Sequence, residues 1–229
     1  MKIKELKAAN PRAFGAAYRT WREGEGYPVH DWWDMTIEDA VEQGKERGFI
    51  IEHKPAARSD TGFEFYFSGF SSQGDGASWV GTIDVPKWVE WAKANGGAPF
   101  TDMQLLWMQE AWRNDFLGTS LSVTARGNYS HSNTMSLNDD LECTERHSHE
   151  VHEGVFKGMD AETFVLTFRR MMGSEIEEEA IKAARAYADE YYKILEDEFE
   201  YLTSEEYFIE CMEEYCCEFD EEGEEIETV

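Results

Sequence analysis

Chemistry needs side chains that exchange protons, or backbone amides that converge on one point. The stretch Ser71-Ser72-Gln73-Gly74-Asp75-Gly76-Ala77-Ser78 offers both. Its small residues let amides face one space, and Ser72, Gln73 and Asp75 add donors and an acceptor, a combination that suits an anion or a nucleotide. The loop is neither a Walker loop nor a dinucleotide fingerprint, because GK[ST] and a correctly spaced third glycine are missing. The same residue types also serve a tight connection whose side chains cap their own backbone. A proton carrier is on hand in Tyr129-Ser130-His131-Ser132. With Asp75 or Ser72 in hydrogen-bond reach, His131 would make an acid–base group; otherwise it is a structural histidine. The candidate catalytic set is therefore Ser72, Gln73, Asp75 and His131.

A second cluster, His147-Ser148-His149-Glu150-Val151-His152, brings His147 and His149 together on a strand, or His149 and His152 on a helix. Either pair binds zinc only with further ligands, no cysteine is spaced to supply them, and the run is not HExxH. It reads as a polar surface loop, so no metal and no cofactor is expected. Cys143, Cys211, Cys216 and Cys217 form no CxxC pair and read as packed small hydrophobes.

Charge is the strongest physical signal. The 229 residues carry 48 acids against 21 bases, a formal net charge of -27. From Glu175 onward, 22 of those acids face only Lys182, Arg185 and Lys193. Such a field repels nucleic acid and anionic membranes and attracts basic surfaces, including those with which other proteins hold DNA. Thr203–Val229 holds 12 acids and no base. If helical throughout, it would present about one charge per 3 Å, close to the ~3.4 Å per phosphate of one DNA strand. The alternative is a solvated helix face ending in an acidic tail. Apolar residues continue through Tyr201, Tyr207, Phe208, Ile209, Tyr215 and Phe219, which speaks for a packed segment. The candidate partner-binding carboxylates are Asp189, Glu190, Glu196, Asp197, Glu200, Glu205, Glu206, Glu210, Glu213 and Glu214.

These groups need a scaffold, and 14% aromatic content with eight tryptophans is ample for a core. Asn10-Pro11 starts a helix through Phe14, Ala17, Tyr18 and Trp21; Trp32 and Trp33 introduce a second, with Thr36 and Asp39 as a capping box and Gly48 as its stop. Strand patterns follow at Phe49–Glu52, Phe63–Phe67 and Trp79–Val85, with helices after Pro86 and from Thr101 to Phe116. Ser120–Ala125 and Thr134–Leu137 suggest a hairpin through Gly127-Asn128-Tyr129. Ile181, Ala184, Ala188, Tyr191, Leu195, Phe199 and Leu202 recur at helical spacing. A further helix begins near Thr203, with Glu206 reaching back to its cap and with Phe208, Ile209, Met212 and Cys216 buried. The fold class is α+β: a mixed, mainly antiparallel sheet, N-terminal helices and a long acidic C-terminal helical layer. Residues 1–174 make the core, with 175–229 packed on the same domain. No apolar run spans a membrane. The polar start Met1-Lys2-Ile3-Lys4-Glu5 suggests a reducing cytoplasm.

Three stretches resemble motifs of an uncharacterised family of phage and prophage proteins. They are Phe67-Ser68-Gly69-Phe70-Ser71-Ser72-Gln73-Gly74-Asp75-Gly76-Ala77, Gly127-Asn128-Tyr129-Ser130-His131-Ser132-Asn133-Thr134-Met135 and Leu195–Glu206. The resemblance implies a phage origin and no particular reaction. In charge and length alone the chain is also similar to phage proteins that imitate DNA and block restriction. The expected function is a phage-encoded acidic inhibitor or decoy that binds a basic, nucleic-acid-handling or defence protein of the host and no nucleic acid itself. An enzyme or nucleotide-binding protein using the Ser72–Asp75 loop and His131 is the alternative. A scaffold that forms homo-oligomers through its tryptophan-rich N-terminal half is a third.

Overall fold

The structure, a computed structural model, describes residues 1–24, 32–54, 61–126, 130–144 and 150–226. In chain order these form α1 (Ile3–Ala9), α2 (Pro11–Glu23), α3 (Asp34–Arg47), β1 (Phe49–Ile51), β2 (Phe65–Phe67), β3 (Ala77–Trp79) and β4 (Gly81–Asp84). There follow α4 (Val85–Ala94), α5 (Asp102–Arg113), β5 (Ser120–Ala125) and β6 (Met135–Leu137), the last entered through a 3-10 turn at Ser132–Thr134. The chain closes with α6 (Ala161–Met172), α7 (Glu175–Leu202), α8 (Glu205–Glu214), β7 (Glu218–Phe219) and β8 (Glu225–Ile226). The fold is α+β. It divides into two units, Met35–Tyr192 and Met1–Asp34 with Lys193–Val229. The expected boundary at 174/175 falls inside the larger of them.

Caps set most helix ends. The Asn10 side chain accepts from Ala13 N at 3.3 Å ahead of Pro11, Asp84 serves Lys87 N, and Asp160 serves Thr163 N. At α8 the cap is Ser204, whose hydroxyl accepts from Tyr207 N at 3.1 Å. The Thr203 cap expected one residue earlier is corrected, because the Thr203 hydroxyl donates back to Phe199 O. Cys216 ends α8 at a φ of 57°, with Cys217 N bonded to Met212 O and Cys216 N to Glu213 O. That left-handed turn usually selects glycine. It also turns Cys216 outward, so its expected burial is overturned.

In the larger unit the order β1-β4-β5-β6 forms an antiparallel sheet, and β2 pairs antiparallel with β3. Alternation directs Phe49, Ile51, Ile83, Leu121, Val123 and Met135 inward, leaving Ile50, Thr82, Ser122, Thr124 and Ser136 on the other face. At Gly81 a Cβ would lie 2.0 Å from Ile50 O, so the β1–β4 approach admits no side chain there. Helix α7 packs on the aromatic end of this core. The Trp79 indole donates to Ala184 O at 3.2 Å, and the Phe49 ring lies 5.1 Å from Tyr187. The buried line of α7 is Ile176, Ala180, Ala184, Tyr187, Ala188, Tyr191 and Leu195, while Ile181, Phe199 and Leu202 are half-buried. The buried stripe is rotated from the expected one toward Ile176, Ala180 and Tyr187, whose hydroxyl donates to Ala40 O.

The smaller unit has its own core of Ile3, Leu6, Ala13, Phe14, Ala17, Phe208, Met212 and Phe219. Helix α1 is not legible in the sequence because a seven-residue segment with two lysines shows little amphipathic pattern. Ile3 and Leu6 nevertheless bury almost completely, each worth roughly 1.5–3 kcal/mol. The Met1 ammonium donates to Phe219 O at 2.6 Å and Phe219 N to Met1 O at 2.9 Å, which fastens β7 to the start of the chain.

Burial, and then the neighbouring Tyr191, hold the Tyr187 phenol well above its ordinary value. Burial and the hydrogen bond to Asp39, at 2.8 Å, push Tyr191 up to about 12. Above pH ~10 an unfolded tyrosine has released its proton while these keep theirs. Their stabilising contribution is therefore full below pH ~10 and fades as the pH rises toward about 12. Following tyrosinate absorbance beside circular dichroism, we expect Tyr191→Phe to flatten the alkaline loss of stability. An unchanged profile would remove Tyr191 from that role.

Candidate functional site

The turn after β2 is fixed from inside. The Asp75 carboxylate Oδ2 accepts from Ser71 N at 2.9 Å and from Ser72 N at 2.6 Å, and Asp75 N donates to Ser72 O. Ser68 closes the neck, its hydroxyl accepting from Gly76 N at 3.1 Å and donating to Ser130 O at 3.3 Å. Outside the turn, Phe67, Phe70 and Tyr192 stack in sequence at 5.7 and 5.5 Å, and the Tyr192 hydroxyl donates to Gly69 O at 2.9 Å. Amides that face one point are present as expected. The anion they hold is the protein's own carboxylate.

His131 does come to this loop. A Cβ on Gly76 would sit 3.0 Å from the His131 ring, so glycine is what lets the imidazole lie against the residue after Asp75. Its Nδ1 accepts from Asn133 N at 3.0 Å and thereby caps the 3-10 turn. That acceptance leaves the proton on Nε2, which has no hydrogen-bond partner among the described residues. Ser72 and Gln73 are exposed at the tip, and Asp75 and His131 are half-buried. The sequence motifs thus converge, although Asp75 and His131 each serve the backbone. Gly127, Asn128 and Tyr129 lie outside the described residues.

Of the ten candidate partner-binding carboxylates, six have a partner inside the chain. Glu190 chelates Arg47 at 2.6 and 2.8 Å; Glu196 and Asp197 share Lys193 at 2.8 and 2.9 Å. Glu205 pairs with Lys7 at 2.9 Å, Glu213 pairs with Lys4 at 2.8 Å, and Glu210 accepts from the Tyr201 hydroxyl at 2.6 Å. Asp189, Glu200, Glu206 and Glu214 are exposed and have no partner among the described residues. The hydrogen bonds to Glu196 and Asp197 raise Lys193 above its ordinary value, and the bond to Glu210 pushes Tyr201 up to about 12. The continuous charged helix expected over Thr203–Val229 is overturned. Helix α8 stops at Glu214, and the chain then doubles back as the β7–β8 hairpin. The acids there gain a local partner, Lys2 on Glu218 at 3.5 Å, and lose a regular spacing.

One arrangement was not visible in the sequence. The Arg47 guanidinium lies 5.1 Å from the Trp91 ring and 5.0 Å from the Tyr187 ring while it chelates Glu190. The bond to Glu190 raises its already high pKa. Only the spacing Tyr187…Glu190 on one helix hinted at it. Elsewhere, the buried Glu110 accepts from Val155 N at 2.8 Å, and Asn114 accepts from His152 N and Glu153 N. These bonds hold the end of the histidine-rich stretch as a loop on α5. His147 and His149 lie outside the described residues. Among the described residues no group of three or more His, Cys, Asp or Glu is placed to hold a metal, and no helix is long and apolar enough to cross a membrane.

Asp75→Ala leaves two loop amides without their acceptor, and should lower stability by about 1–3 kcal/mol in urea unfolding. Amide exchange at Ser71 and Ser72 should accelerate with it. Unchanged exchange would mean that another group orders the loop.

No curated protein and no solved structure matches the chain. One protein family does match, over residues 32–205, a span holding the Ser71–Gly76 turn, His131 and all of α7. Glu206, Glu210, Glu213 and Glu214 follow that span. The match covers well over half of the sequence, so the chain belongs to the DUF8835 family, a domain of unknown function.

Proposed function

We propose that this protein is a non-catalytic acidic binding protein that takes up a basic surface of a partner protein. The observation that carries this reading is the outer face of α8. Glu206, Glu210 and Glu214 stand there at i, i+4 and i+8, exposed and free of ion pairs, whereas Lys4 and Lys7 neutralise Glu213 and Glu205 on the side toward α1. Like charges at that spacing oppose helix formation by a few tenths of a kcal/mol per pair, and a cationic partner relieves the strain. The unit that presents them carries 21 acids against seven bases. The phage resemblance extends the reading to an inhibitor of a host nucleic-acid-handling or defence protein in the cytoplasm. Docking through a short carboxylate line replaces imitation of a whole DNA strand, since the hairpin interrupts the required spacing.

The triple variant Glu206→Gln, Glu210→Gln, Glu214→Gln should lose affinity for such a partner by about tenfold or more at low salt. It should also show a shallower salt dependence than the parent chain. A host protein bound equally by both, and equally at low and high salt, would sink the electrostatic reading.

A second reading, nucleotide or phosphate binding at the Ser72–Asp75 turn with His131, draws support from the contact between the His131 ring and Gly76. It requires the Asp75 carboxylate to yield the amides of Ser71 and Ser72 to the incoming phosphate. A rise in melting temperature with millimolar ATP or inorganic phosphate, lost in His131→Ala, would carry it. No shift with either ligand removes it.

A further inference from the structure

Beside the free carboxylates of α8 lies a run of aromatic rings that the smaller unit does not fully bury. Trp21 of α2 sits 6.2 Å from Tyr207 at 55°, and Tyr207 sits 5.4 Å from Tyr201 at 58°. Trp21 and Tyr207 are half-buried, and Tyr201 is 44% exposed. Tyr18 and Phe208 hold the inner side of Trp21, which in turn meets Tyr207, so that ring is placed before any partner arrives. Glu206 and Glu210 flank Tyr207 on the same helix. The Tyr201 hydroxyl occupies Glu210 Oε2, which leaves Oε1 open.

The chain contains a filled version of this combination. In the larger unit Trp91, Tyr187 and Glu190 hold the guanidinium of Arg47, with the tyrosine three residues before the glutamate on one helix and the tryptophan on another. Trp21, Tyr207 and Glu210 repeat those residue types and that spacing. No lysine or arginine lies over Trp21, Tyr201 or Tyr207 among the described residues. The geometry differs in one respect. Here the rings touch each other, so a cation would stack on their open faces instead of entering between them.

We infer that Trp21, Tyr201 and Tyr207, with Glu206 and Glu210, form an anchor for an arginine side chain of a basic partner segment. The inference rests on the reading of the partner as basic, and adds which cation it offers and where. Arginine suits the site better than lysine because its planar guanidinium stacks on a ring face while its N–H groups reach a carboxylate. A compact, strongly hydrated ammonium gains less from the rings.

The test uses the full chain with hexa-arginine and hexa-lysine peptides, by calorimetry at low and high salt and by the NMR shift of the Trp21 indole N–H. Hexa-arginine should bind about fivefold tighter than hexa-lysine and move the Trp21 signal. Trp21→Leu, Tyr201→Ala and Glu210→Gln should each weaken hexa-arginine by roughly three- to tenfold and bring it level with hexa-lysine. Glu162→Gln, an exposed residue of the other unit, should change neither. If circular dichroism shows Trp21→Leu unfolded, Tyr201→Ala and Glu210→Gln decide the matter. Equal binding of both peptides, unaffected by these variants, overturns the anchor while leaving a diffuse acidic attraction intact. No salt-sensitive binding of either peptide overturns the anchor and the basic-partner reading together.

Discussion

Where Tyr187 enters the larger unit, α3, β1 and α7 are tied to one another through a single side chain. Its hydroxyl donates to Ala40 O, and its ring lies 5.1 Å from Phe49 and 5.0 Å from the Arg47 guanidinium. Arg47 in turn lies on Trp91 and chelates Glu190. A Cβ on Gly44 would come within 3.1 Å of the Tyr187 hydroxyl, so glycine there gives the phenol room. A buried phenol and a partly buried cation are tolerable only when each polar atom is satisfied, and here the same few residues satisfy both. Because α7 is fixed at this point, its neighbouring side chains reach fixed targets, Tyr192 at Gly69 and Arg185 at Met135 O.

Electrostatic repulsion is the opposing constraint, and the chain handles it unevenly. Lys2, which precedes the first helix, and Lys4 and Lys7 within it meet Glu218, Glu213 and Glu205, so the basic start of the chain offsets part of its acidic end. Each such surface pair is worth about 0–1 kcal/mol, far less than the burial of Ile3 and Leu6 beneath them. Apolar packing therefore holds α1 in place, and its lysines lower the local field. The carboxylates on the outer side of α8 receive no such compensation.

The Ser71–Gly76 turn shows how one set of residues supports two opposite readings. Convergent amides, a carboxylate and a nearby imidazole are the parts of an anion site, and also the parts of a turn that satisfies itself. Asp75 decides between them in this structure, because an internal carboxylate at 2.6 and 2.9 Å occupies the positions a phosphate oxygen would take. His131 is likewise committed through Nδ1 to the turn it caps.

Much of the fold was legible one residue at a time. Asn10-Pro11, Thr101 with Gln104, and the alternation of Ser120–Ala125 specify their elements through local bonds and periodicity, which neighbours in the chain determine. Composition fixed the net charge and its concentration after Glu175. The motif spacing singled out both the Ser71–Ser78 loop and His131. What only the tertiary structure decided was the partner of each polar group. Tyr187 and Arg47 became core because distant atoms met them, α1 became a helix because its apolar residues found a core, and the stretch from Thr203 to Ile226 broke into a helix and a hairpin. Six of the ten carboxylates turned out to be spoken for by residues up to 209 positions away. Hydrogen-bond and ion-pair partners lie across space, and a linear sequence records the groups that need partners without recording which ones they meet.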